Sequence, residues 1–72
     1  MTSEQKGVDG ELSRYTKAML RGDLRTCKTI ESLHGLFGYP PEIVSVGLKA
    51  YDDGVSVDDA IEAYINAEAG LP

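Results

Sequence analysis

Cys27 and His34 are the single cysteine and the single histidine of the chain, and so the first residues to weigh for chemistry. Thiol catalysis needs an imidazole within hydrogen-bond reach of the sulfur. Seven residues apart on one helix, the two would share a face but stand roughly 10 Å apart along the axis, too far for a direct pair. A zinc site needs about four ligands, and only these two soft ones are offered. The residues read as a core cysteine and a half-buried histidine, and no catalytic residue, cofactor-binding residue or metal ligand is expected.

The acidic string DDGVSVDD, 52–59, invites a calcium reading because such loops use oxygen ligands around a glycine. The spacing does not fit. An EF-hand loop places acids or amides at alternate positions, a glycine at the sixth and a glutamate at the twelfth, and valines stand here where ligands are required. The string reads as the acidic end of one helix followed by the acidic start of the next. Gly35 and Gly38 are isolated and form no phosphate-binding loop.

With enzymatic chemistry set aside, composition narrows what remains. Seventy-two residues make one small domain in which a deep cleft is hard to build, and 42% hydrophobic with 26% charged residues is ordinary for a folded chain. Seven basic against twelve acidic residues give a net charge of -5, which repels a phosphate backbone and disfavours direct nucleic-acid binding. Arg14, Lys17, Arg21, Arg25 and Lys28 lie in the first half, and Asp52, Asp53, Asp58, Asp59, Glu62 and Glu68 in the second. This asymmetry suggests either two solvated helix faces of opposite sign or two partner surfaces, including head-to-tail self-association. One cysteine implies no disulfide, the polar start MTSEQKGVDGE resembles no signal peptide, and no apolar run approaches the roughly 20 residues that span a bilayer. A cytoplasmic setting without membrane contact is expected.

Four helices must carry these residues. Residues 1–9 have no apolar pattern and read as a flexible tail, with a single helical domain over 10–72. Leu12, Tyr15, Thr16, Met19 and Leu20 mark a first helix over 11–21, stopped by Gly22. Asp23 caps a second, over 24–35, with Leu24, Cys27, Ile30, Leu33 and His34 as its stripe. Pro40 and Pro41 suit the first turn of a third, in which Ile43, Val44, Gly47, Leu48 and Tyr51 line one face before Asp52, Asp53 and Gly54 break it. Ser56 and Asp59 form a weak capping box for a fourth over 57–68, with Val57, Ala60, Ile61, Tyr64 and Ile65 as its stripe and Gly70 and Pro72 after it. No strand pattern occurs, so the fold class is all-α: a small bundle of three to four short helices.

Between the second and third helices stands FGYPPEIVSVGL, 37–48, where a glycine separates two aromatics at a turn. Phe37 and Tyr39 either cap the core or face a partner, with the core the stronger reading for Phe37.

The stretch 24–67 resembles a ubiquitin-associated (UBA) domain, with the helix 11–21 as an addition before it. Phe37, Gly38, Tyr39 and Pro40 read as that family's Met-Gly-Phe/Tyr loop with Phe in place of Met. Gly47 and Leu48 occupy the place of its Ala-Leu pair, and Ala60, Ile61, Glu62, Tyr64 and Ile65 match its last helix. Two departures stand out: Leu33 precedes Phe37 by four residues instead of three, and the second loop is about two residues longer. The resemblance implies a three-helix bundle that binds a protein through Phe37, Gly38, Tyr39, Tyr64, Ile65 and Glu68.

The expected function is therefore a small non-enzymatic protein-protein interaction module. The alternative is a small acidic inhibitor or antiactivator, of mobile-element or phage type, that occludes a larger regulator or enzyme through the acidic face of the last helix. A homodimer through the helix 11–21 is a further use of its apolar stripe.

Overall fold

The computed structural model describes residues 10–70; the expected tail, 1–9, and Pro72 lie outside the described residues. The chain is all-helical: α1 (Glu11–Arg21), α2 (Leu24–Leu33), α3 (Pro41–Asp53) and α4 (Val57–Glu68). α1 packs on α2 and α3, and α4 packs on α3. One core cluster draws on all four helices, with Tyr15 and Ala18 from α1, Cys27 and Ile30 from α2, Ile43, Val44 and Leu48 from α3 and Ile61 from α4. α1 thus belongs to the same core as the three helices that follow.

Local chemistry sets the boundaries. The Asp23 side chain accepts from the Thr26 backbone N–H at 3.1 Å and from the Thr26 hydroxyl at 2.7 Å, and the Ser56 hydroxyl accepts from the Asp59 N–H at 3.2 Å. These bonds, the Thr26 hydroxyl's foremost, hold the Asp23 carboxyl below its ordinary pKa. α3 opens on Pro41, whose missing N–H costs nothing in a first turn.

Three helices end in the same way. After α2 the Leu36 N–H reaches back to the Glu31 carbonyl at 2.7 Å and the Gly35 N–H to that of Ser32 at 3.2 Å, the Schellman pattern. Gly22 and Gly54 close α1 and α3 with equivalent bonds. This geometry corrects the expected range of the second helix: α2 stops at Leu33, two residues short of 35, because Gly35 takes a left-handed φ of 69° and turns the chain inward.

The inward faces also differ from those expected. On α1, Tyr15 and Ala18 are buried with Leu12 beside them, whereas Thr16, Met19 and Leu20 face outward. The seam follows Tyr15 and Ala18, with Met19 and Leu20 left on the outward side. On α2, Leu24 and Leu33 are exposed and the inward positions are Cys27, Ile30 and Glu31. Glu31 is a buried polar group because the Tyr15 hydroxyl donates to its Oε2 at 2.8 Å. Tyr51, expected on the inward face of α3, is instead half-exposed.

The start of α1 is held from the far end of α3. Gly10 offers no side-chain cap, and the Asp52 carboxylate takes the role, accepting from the N–H of Glu11 at 2.7 Å and of Leu12 at 3.0 Å. A Cβ on residue 10 would run into that carboxylate, so the close approach requires glycine.

Candidate protein-binding surface

Leu36, Phe37, Gly38 and Tyr39 form a tight turn, closed by the Tyr39 N–H donating to the Leu36 carbonyl at 3.2 Å. Gly38, third in the turn, has a φ of 95°, a conformation that side chains oppose and glycine accepts. This requirement explains the glycine between the aromatics. The turn is anchored by Leu36, 2% exposed in the core, which lies against Gly47 and Ile61. A Cβ on Gly47 would stand 2.9 Å from a Leu36 methyl, so the glycine of α3 makes room for the anchor.

With Leu36 filling the core, the aromatics are free of that task. Phe37 is 64% exposed and Tyr39 44% exposed. The core reading of Phe37 is thereby corrected: it occupies the outward position of a turn whose inward position is Leu36.

Phe37 leans toward α2. The Lys28 ammonium stands 5.4 Å from the centroid of its ring, a cation-π contact worth about 0.5–1 kcal/mol at an exposed site. Together with Lys28, Thr29, Ser32 and Leu33, Phe37 lines an open cleft of about 410 Å³. The sequence reading placed Lys28 among the basic residues of the first half and Leu33 on the stripe of the second helix, and brought neither to the corner. Their signal is the burial of Glu31, which leaves Arg25 and Lys28 as the only charges on the exposed side of α2.

The other expected contact residues lie on the second half of α4. Tyr64 is half-buried and packs on the core, Ile65 is 47% exposed, and Glu68 is exposed. Desolvation raises the Tyr64 hydroxyl pKa, with the charges of Glu68 and Glu42 adding to it. Glu42 stands in the first turn of α3, three residues after Tyr39.

The residues weighed for chemistry have other employment. Cys27 is buried, and burial foremost pushes its thiol pKa up, away from a reactive thiolate. His34 lies with its ring centroid 4.4 Å from that of Tyr51 and its Nε2 3.7 Å from a carboxylate oxygen of Glu11. In the acidic string, Asp52 holds the start of α1 and Asp53 pairs with Lys49 at 3.1 Å. Among the described residues no group of three or more His, Cys, Asp or Glu is arranged to hold a metal ion, and no helix is long and apolar enough to cross a membrane.

Comparison of the chain with known protein families, with curated proteins and with solved structures gives no match.

Proposed function

We propose that this chain is a small non-enzymatic protein-protein interaction module that binds its partner through the Phe37-Gly38-Tyr39 corner and the end of α4. The observation that carries the reading is the division of labour in the corner: Leu36 anchors the turn while Phe37 and Tyr39 stay exposed. Aromatic side chains on a pre-organised turn present contact area at a small ordering cost, and Tyr adds a hydroxyl for hydrogen bonding. The resemblance to UBA domains rests on the same residues and supports the same surface. The buried, lone thiol of Cys27 fits a cytoplasmic setting.

The test is capture of partners from the native host by the chain and by its Tyr39→Ser/Ile65→Ser variant, with helical circular dichroism as the folding control. The variant should lose the proteins that the parent captures. Equal capture by both would remove the corner from the account.

A second reading, an acidic inhibitor or antiactivator occluding a larger protein, is favoured by one observation. Asp58, Asp59 and Glu62 are exposed and make no ion pair among the described residues. Charge reversal at these three positions separates the readings, since it would abolish binding of strong salt dependence and leave corner binding in place.

A further inference from the structure

Two exposed helix faces of this molecule complement each other. On α2 the exposed charges are Arg25 and Lys28, both positive, followed toward the C-terminus by the exposed Leu33 and Phe37. On α4, Asp58, Glu62 and Ile65 stand at i, i+4 and i+7, which places them along one side of the helix, and all three are exposed. None of the four charged residues forms an ion pair among the described residues. Each face thus reads, in chain direction, two like charges and then apolar groups, with opposite sign on the two helices.

The lengths also agree. At 1.5 Å per residue Arg25 to Leu33 spans about 12 Å and Asp58 to Ile65 about 10 Å. Two such helices laid side by side in parallel bring Asp58 to Arg25, Glu62 to Lys28 and Ile65 into the cleft walled by Leu33 and Phe37.

We propose that the α2 face of one copy docks the α4 face of a second copy. The contact joins two different surfaces of the chain, as head-to-tail contacts do, and it extends under its own action until a ring closes or a short filament forms. Phe37 and Ile65 belong both to this contact and to the partner surface proposed above. Self-association therefore covers that surface, and a partner must compete with a second copy for it. The contact itself does not depend on the partner reading, because it is measured on the pure chain.

The experiment is sedimentation equilibrium of the full chain up to about 1 mM, at about 20 mM and about 500 mM salt, where screening lengths differ several-fold. The expected result is a mass that rises above the monomer with concentration at low salt, with association weakened about tenfold or more at high salt. Lys28→Glu and Glu62→Lys should each stay monomeric, with unchanged circular dichroism. Mixed in equal amounts, they should associate again, because each repairs the charge pairing that the other lost. A chain that stays monomeric throughout would overturn the proposal. So would association that both variants retain, or that only Met19→Ser/Leu20→Ser on α1 removes, or a mixture of the two charge variants that fails to recover.

Discussion

The Tyr15 hydroxyl donates a 2.8 Å hydrogen bond to the Glu31 carboxyl, and both residues are buried where α1 meets α2. This bond is what allows a glutamate to take an inward position on a helix whose leucines face outward. Removing the donor alone leaves a buried carboxyl without its partner, which costs about 1–3 kcal/mol. Tyr15→Phe should therefore lower the urea midpoint by that equivalent at constant slope. Tyr15→Phe/Glu31→Met, which replaces both partners with apolar groups, should recover most of the loss. A double variant as unstable as the sum of its single changes would show the pair to be independent.

The same pair gives the alkaline limb of stability its sign. Burial foremost, and then the bond to Glu31, raise the Tyr15 pKa in the folded state, and burial does the same for the Cys27 thiol. A raised pKa means that the unfolded chain loses its proton first, so each group's contribution is complete below the unfolded value and declines above it. Unfolding free energy should fall as pH passes about 8.5 for the thiol and about 10 for the phenol. Tyr15→Phe should flatten the upper part of that decline and Cys27→Ala the lower part, as urea titrations at several pH values would show.

The start of α1 depends on a side chain 41 residues away, the Asp52 carboxylate that accepts from the Glu11 N–H. Asp52→Ala should cost about 0.5–2 kcal/mol, the range for loss of a helix cap. Gly10→Ala should cost a similar amount by driving a methyl into that carboxylate. In the Asp52→Ala background the Gly10→Ala change should lose most of its effect. Full additivity in the thermodynamic cycle would contradict the shared contact.

Leu36 and Phe37 are neighbours with opposite consequences. Leu36→Ala empties a core position and should cost about 2–5 kcal/mol. Phe37→Ala removes an exposed ring with its Lys28 contact and should cost no more than about 1 kcal/mol. Gly47→Ala should cost about 1–3 kcal/mol by pressing on Leu36, and less once Leu36 is shortened. Denaturant midpoints of the four variants check the whole set.

These residues show which features the sequence carried. Helix number and most boundaries were legible because punctuation is local: Gly22, Asp23, Pro41, Gly54 and Ser56 each act within a turn of where they stand. Facing was legible on most of α3, where Ile43, Val44, Gly47 and Leu48 are buried although Tyr51 is not, and less so on α1 and α2. There the inward positions went to Ala18 and to Glu31, and a small residue and a paired carboxyl leave no trace in an apolar pattern. Leu36 did carry a local signal, an apolar residue directly after a helix-ending glycine. Val55 after Gly54 carries the same signal and is exposed, so the pattern alone does not decide burial. In the candidate site the resemblance put Phe37, Tyr39 and Ile65 on a surface and all three are exposed, whereas residue type alone favoured the core for Phe37, because a large apolar ring at a turn suits either place. The α2 wall of the cleft was not legible, since Lys28 and Leu33 acquire it only once the turn lays Phe37 beside them.

The central claim is that a protein partner meets the corner and the end of α4. Its most direct test is amide chemical-shift mapping of the labelled full chain against the partner whose capture requires Tyr39 and Ile65. The account predicts the largest changes at Phe37, Gly38, Tyr39, Tyr64, Ile65 and Glu68, with the acidic start of α4 at Asp58 and Asp59 little moved. Changes centred on Asp58, Asp59 and Glu62, or on the exposed face of α1, with the corner unmoved, would contradict it.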